Sequence, residues 1–434
     1  MRVPVDIPPH PPWPGPTAPP APLSRRSIVL LSALGALSVA WLCHAVWIRT
    51  VHQTQLDYAV YVMGAHHLVD GTLYTVSLSL AGYPHLPFTY PPFAALGFVP
   101  LGLLSVAAGQ VVWALVNMAS LFAIIALSLR CVRPGIDRVR LLLVSLVLVG
   151  PSTLLLPVWL TFYFGQVNLV LCALILADLT TTIRVGTRRL PRGVLVGVTA
   201  AVKLIPLVFV PYLFVTRQVR TAWTALAGFA GATLVAAAVD PSLTWSYFTK
   251  YATDAQRVGG VFYISNQSLR GAVDRLDHRV VPTVVVTAAS AVVLVAGIAL
   301  ARWAHRDSSP FLGVLVCATT GMLASPISWE HHLVWVVPML LWLACAPDRP
   351  VGGPVWAVAG AVVLVWAPVL HVPSGGVNEL HEHGWQLLAG NSFFALLSAF
   401  MLGVAVLLAV RRRAGRGPSL SGPPSPATST PAAT

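Results

Sequence analysis

Charge is what this sequence lacks. Only 9% of its 434 residues are Asp, Glu, Lys or Arg, where a soluble domain carries about 25%. That shortage excludes an ordinary water-facing surface. Lysine is scarcer still and occurs only at Lys203 and Lys250. The net charge of +13 is therefore almost all arginine, gathered in short clusters at the ends of apolar runs; it is not a nucleic-acid signal. The five cysteines (Cys43, Cys131, Cys172, Cys317 and Cys345) show no paired spacing and no CxxC, so they read as buried free thiols. A Walker A loop, a DxD-type nucleotide-sugar motif, a redox motif and an internal hydropathy repeat are all missing, which argues against cytosolic nucleotide use.

What the chain does have is apolar length. Hydrophobic residues make up 56% of it and its mean hydropathy is +0.76. Uncharged runs of 18 or more residues recur, each long enough to cross a hydrocarbon core of about 30 Å. The expected fold is an all-α polytopic membrane bundle of about 10–12 transmembrane segments. Full crossings are expected near 27–48, 108–129, 139–160, 165–183, 221–239, 281–301, 310–326, 331–346, 354–370 and 386–409. The Pro-rich residues 1–24 and the Pro/Ser/Thr/Ala-rich residues 417–434 cannot bury a core and read as disordered tails; residues 25–416 form the membrane domain.

Two stretches do not fit a simple crossing. Residues 193–216 are flanked on both sides by arginine, "RVGTRRLPR" (184–192) before and "RQVR" (217–220) after. Both flanks belong on one side by the positive-inside rule. Lys203 and Pro206 sit in the middle, so a broken re-entrant hairpin lining a cavity is expected. Residues 91–107 likewise read as re-entrant or interfacial. With these choices both termini are cytoplasmic and twenty of the 27 basic residues lie inside. The outer segments (49–90, 240–280, 325–332 and 371–385) then hold nine of the fourteen acidic residues and ten of the thirteen histidines. A site should face outward.

The first outer segment carries Asp57 and Tyr61, which share a face if it is helical, and then Tyr90 within "TYPPF". Asp57 is either a solvated loop carboxylate or a general base able to take a proton from an attacking hydroxyl. Gln166 and Asn168 in "FGQVN" either cap a helix start or aim side-chain donors into an outer cavity. Lys203 is a lone cation at membrane depth, which is costly and usually functional; the alternative is a snorkelling or ion-paired structural lysine. In "NQSLRGAVDRL", Asn266, Gln267 and Arg270 offer phosphate contacts, or else a polar face with an Arg270–Asp274 pair. Tyr247, Tyr251, Phe262 and Tyr263 read as an interfacial aromatic belt or a sugar platform. In "SPISWEHHLVW", His331 and His332 are candidate hydrogen-bond partners for phosphate or sugar, against a capping role. Adjacent histidines point to different helix faces, so no metal site is assigned there. "HEH" at 381–383 reads as solvated.

Taken in order, "LDYAVYVMGAHHLVDGTLY", "YPPF", "FGQVNLVLCALILADL", "AAVKLIPLVFVPYLF", "NQSLRGAVDRL" and "SPISWEHHLVW" resemble glycosyltransferase family 87, the polyprenyl-phosphate-mannose-dependent α-mannosyltransferases of actinobacteria. The likeness runs from about Arg25 to Arg416. It implies a GT-C fold with an extracytoplasmic active site in the plasma membrane, and a β-linked polyprenyl-phosphate-mannose donor with no further cofactor. The implied acceptor is a hydroxyl of a glycolipid such as a phosphatidylinositol mannoside or lipomannan chain. The family's catalytic aspartate falls on Asp57. Whether the 2- or the 6-hydroxyl is attacked stays open. The competing class is a transporter or flippase of lipid-linked sugars, which broken helices with an embedded lysine also suit.

Overall fold

A computed structural model describes residues 22–51, 55–80, 83–276 and 281–414. Both expected tails fall almost wholly outside these residues. The chain is all-α apart from two small hairpins. After the long helix α1 (Arg25–Val51) come the short helix α2 (Leu56–His66) and a hairpin of β1 (Ser77–Leu80) with β2 (Tyr83–Pro87). Helices α3 (Pro92–Gly102), α4 (Val106–Val132), α5 (Arg138–Ser152), α6 (Leu156–Phe164) and α7 (Asn168–Thr180) follow, then a hairpin of β3 (Arg184–Val185) with β4 (Arg188–Arg189). The chain continues through α8 (Val194–Val202), α9 (Phe209–Val215), α10 (Val219–Val239), α11 (Pro241–Ser246) and α12 (Leu269–Leu276). It ends with α13 (Thr283–Asp307), α14 (Pro310–Ala324), α15 (Val336–Cys345), α16 (Gly353–Trp366), α17 (Trp385–Gly390) and α18 (Ser392–Ala414).

Among the described residues, six helices are long and apolar enough to cross a membrane alone, so the chain is a multi-pass membrane protein. The crossing expected at 139–160 is two helices, α5 and α6, bent by 78°. Pro151 near the end of α5 and Pro157 in the first turn of α6 explain the break, since proline supplies no N–H to an interior turn. The runs at 165–183 and 310–326 form helices of 13 and 15 residues, and that at 331–346 opens with a 3-10 stretch, Glu330–Trp335. Each is short of the ~20 residues that a full crossing needs. Every residue of α14 from Phe311 to Leu323 is buried. It is a core helix enclosed by protein, which is why its sequence is apolar all round. All five cysteines are free thiols; Cys172 and Cys317 are buried, whereas Cys43 is exposed on α1.

Residues 193–216 enter and return. Gly193 lies against Thr221 and Gly197 against Ala225 and Phe229, so α8 runs alongside α10 in the same direction. A Cβ at Gly197 would stand 2.1 Å from the Ala225 carbonyl oxygen, which is why glycine is needed there. The chain then breaks at Lys203, whose backbone is extended (φ −151°, ψ 128°). It comes back through α9 to the start of α10, where Phe214 packs edge-on to Trp223. Asp178 pins the entry: its carboxylate accepts the N–H groups of Gly193 and Val196 at 2.9–3.0 Å. Asp178 thus has a structural role at the end of α7 away from Asn168.

Candidate active site

The site forms where α2, the α6–α7 junction, the break at Lys203 and the Glu330–Trp335 turn meet. Its first wall is a packed aromatic cluster. Tyr61 stacks on Phe98 with ring centroids 4.2 Å apart, Phe98 meets Trp113 edge-on, and Tyr90 stands edge-on to both Tyr61 and Phe88. Asp57 and Tyr61 do occupy one helix, α2, and so share a face.

At the junction, Gly165 adopts a left-handed conformation (φ 69°) that closes α6. A Cβ there would also strike Tyr58 at 2.7 Å. The Gln166 N–H donates back to the Thr161 carbonyl at 2.9 Å, and the Trp113 indole N–H donates to the Gly165 carbonyl at 2.7 Å. This tight corner throws two amide side chains inward. The N-cap of α7 is Val167, with no side-chain cap; Gln166 and Asn168 do not cap the helix start but bridge across the fold.

The bridge is continuous. Gln166 hydrogen-bonds the half-buried Asp57, and its Oε1 accepts from the Tyr61 hydroxyl at 2.9 Å and from Asn168 Nδ2 at 3.3 Å. The Tyr90 hydroxyl lies 3.2 Å from that of Tyr61 and can donate to it. Asn168 Nδ2 donates to the His331 carbonyl at 2.9 Å, while its Oδ1 accepts from Lys203 Nζ at 3.0 Å. Lys203 Nζ in turn lies 2.9 Å from His332 Nε2 and 5.5 Å above the Tyr90 ring. A carboxylate and an ammonium thus stand at two ends of one string of amides. Burial pushes the Asp57 carboxyl up to about 6, although the Gln166 hydrogen bond and the Lys203 charge pull it down. That value suits a base working near neutrality.

Lys203, Asn168 and His332 form the polar end of a cavity of about 50 Å³, whose remaining wall is apolar, with Leu171, Phe209 and Trp335 among its residues. Both ring nitrogens of His331 and Nδ1 of His332 are buried without a protein partner. In a polar site such groups are costly unless a ligand or water meets them.

The remaining candidates go elsewhere. Asn266 pairs with Trp329 in a β-bridge, donates to the Val261 and Pro326 carbonyls, and accepts from the Ser328 N–H at 2.9 Å. Gln267 joins the Ile264 and Gly390 carbonyls to the Phe393 and Phe394 N–H groups. Arg270 pairs with Asp274 at 2.7 Å. These three are locked to Trp329, to the Gly390–Phe394 segment and to Asp274. Residue types alone did not separate them from the site, because buried structural amides and ligand-binding amides look the same in sequence. Glu382 of "HEH" is not solvated: it is buried with Glu379 in the electrostatic field of the buried Arg275. Tyr247 and Tyr251 stack on Tyr74, and the Arg257 guanidinium sits over the Tyr251 ring at 4.6 Å while donating to the Tyr74 and Phe88 carbonyls. They brace the segment between α2 and α3. Phe164, which packs edge-on to His331 at 5.4 Å, carries no chemical signal in sequence and was missed.

Residues 88–326 match the profile of glycosyltransferase family 87. The chain is 32% identical over 412 residues to a polyprenol-phosphate-mannose-dependent alpha-(1-2)-phosphatidylinositol mannoside mannosyltransferase of Mycobacterium tuberculosis, covering 88% of this chain and 92% of that one. It is 33% identical over 401 residues to a polyprenol-phosphate-mannose-dependent alpha-(1-2)-phosphatidylinositol pentamannoside mannosyltransferase of the same species, covering 85% and 88%. Among solved structures, ArnT from Cupriavidus metallidurans bound to undecaprenyl phosphate matches at 15% identity and a TM-score of 0.40, over 89% of this chain and 79% of that one. A likeness that loose speaks to neither residues nor mechanism.

Proposed function

The chain belongs to glycosyltransferase family 87, and on that footing we propose that it moves mannose from a polyprenyl-phosphate-mannose donor to a hydroxyl of a mannosylated phosphatidylinositol. Membership of a transferase family sets the carrier reading aside. The observation that carries the proposal is the string from Asp57 through Gln166 and Asn168 to Lys203, ending at a cavity that is polar at its head and apolar along its wall. A lipid phosphate is amphipathic in the same sense.

In this scheme the Asp57 carboxylate takes the proton of the acceptor hydroxyl. That oxygen attacks the anomeric carbon from the face opposite the phosphate, and the carbon–oxygen bond to phosphate breaks with its electron pair leaving on the phosphate. One displacement on a β-linked donor gives an α product. Lys203 and His332 meet the growing phosphate charge with donors already in place, which is where preorganised groups gain most. Phosphate is a good leaving group, so neither a general acid nor a metal enters the scheme. The relatives' names support an α-(1→2) linkage, and the arginine pattern supports a site on the extracytoplasmic face with both termini inside. Within a GT-C enzyme, the cavity of about 50 Å³ has to open further to admit a sugar.

The test is transfer of radiolabelled mannose by purified protein from polyprenyl-phosphate-mannose to a phosphatidylinositol mannoside acceptor, with linkage analysis of the product. Transfer from GDP-mannose alone in carrier-free proteoliposomes would overturn the donor assignment.

A further inference from the structure

At the opposite end of α7 from the Asp57 site, the structure holds a second cavity. Thirteen residues of helix separate the two, about 20 Å at the α-helical rise. It lies between the end of α7 and the β3–β4 hairpin, has a volume of about 300 Å³, and is lined by Thr181, Thr182, Arg189 and Arg192 with Asp178 at its floor. The Asp178 carboxylate, held by the Gly193 and Val196 N–H groups, feels the charge of Arg192 and offsets one of the two guanidiniums, so the cavity keeps a net positive charge. Neither Arg189 nor Arg192 forms an ion pair among the described residues. Both are exposed, and Arg184 and Arg188 on the same hairpin add to the positive field.

Depth argues for the kind of anion. Gly193, the residue after Arg192, abuts Thr221, so the first turn of α10 packs beside the residue that follows the cavity's Arg192 wall. Two positions on, Trp223 is 61% exposed, and exposed tryptophan on a spanning helix marks headgroup level. Exposed Val219 lies on the same helix. Two arginines and two threonines line the cavity near that level, although the Thr181 hydroxyl already donates to the Ala177 carbonyl. Guanidinium binds phosphate oxygens through a planar, bidentate fork.

We infer that this cavity binds the phosphate of an anionic membrane lipid, whose acyl chains lie along α10. It sits at the foot of the broken hairpin that carries Lys203, so an occupied cavity braces the hairpin's entry from the side away from the reaction.

The test uses the purified full chain in neutral detergent, followed by thermal melting and by native mass spectrometry. Phosphatidylglycerol should raise the Tm by several degrees and leave about one lipid bound per chain. The double variant Arg189→Gln/Arg192→Gln should weaken that binding tenfold or more, whereas Arg412→Gln/Arg413→Gln, on the exposed end of α18, should keep it. An equal shift in the first double variant, an equal loss in the second, or equal stabilisation by phosphatidylcholine would each overturn the inference. Millimolar inorganic phosphate reproducing the whole shift would overturn the lipid as its source.

Discussion

The ammonium of Lys203 and Nε2 of His332 lie 2.9 Å apart. In its charged form the lysine only donates, and His332 then accepts through Nε2 and carries its proton on Nδ1. That Nδ1–H is buried with no protein partner. The pair therefore presents one cation and one free donor at the head of the apolar cavity, and Asn168 fixes the lysine from the other side at 3.0 Å.

Replacing Asp57 tests the proposed base without touching the groups around Lys203. Asp57→Asn should lower kcat by about 10²–10⁴-fold, with donor binding measured by equilibrium methods close to wild type. Full turnover by this variant would remove Asp57 from the reaction.

The elevated titration of Asp57 has two consequences of opposite sign. The proposed base works in its ionised form, so kcat/KM should rise with pH and level off above about 6. Stability behaves in reverse. The folded carboxyl titrates near 6 and the unfolded one near 3.8, so the fold disfavours the charge, and the penalty grows between those values and is complete above them. Asp57→Asn should therefore melt higher than wild type at pH 7, with the difference closing below pH 4. Melting curves across that range decide it.

Lys203→Met keeps the apolar length of the side chain and removes the charge. Donor kcat/KM should fall by about 10²–10³-fold, the usual loss for one preorganised donor, with the protein folded and at least as stable. Lys203→Arg should not restore activity, because a planar fork does not fit where a compact ammonium meets both Asn168 and His332. An unchanged donor affinity in Lys203→Met would make the lysine structural.

Gln267 distinguishes scaffold from site. Its side chain makes four hydrogen bonds to backbone groups of two segments. Gln267→Leu should cost about 1–3 kcal/mol for each buried backbone group left without a partner, read as a large drop in Tm. The kcat of the protein that does fold should stay near wild type. A selective rise in KM without loss of stability would instead put Gln267 in the site.

Gly197→Leu should wedge α8 from α10. The nearest atoms are backbone and cannot rotate away, so a cost of at least the 1–3 kcal/mol of ordinary overpacking is expected. Because α8 ends at Lys203, activity should fall with stability; thermal melting and transfer assays on one sample check both.

Much of this architecture was legible because membranes impose simple rules. Arginine on both flanks of 193–216 required an even number of passes, and the chain does return to the start of α10. The count of full crossings was less legible. Apolar length cannot separate a lipid-facing span from a helix such as α14, which is apolar because protein encloses it on every side. The tertiary burial of Glu382 was equally hidden, since a Gly-rich loop with acidic residues reads as solvated until Arg275 is seen beneath it.

By itself, then, the sequence determined the membrane class, the gathering of acids and histidines into a few segments between apolar runs, and the residue types able to do the chemistry. It did so through composition, periodicity and charge placement, which are properties of single segments. Only the tertiary structure decided which of those residues meet. Asp57, Gln166, Asn168, Lys203 and His332 come from four separate stretches, and their union rests on a left-handed glycine at 165 and an extended break at Lys203. Asn266, Gln267 and Arg270 have the same chemistry, yet their bonds are closed on backbone and on Asp274. Hydrogen bonds between distant segments are set by packing, and no local pattern encodes them.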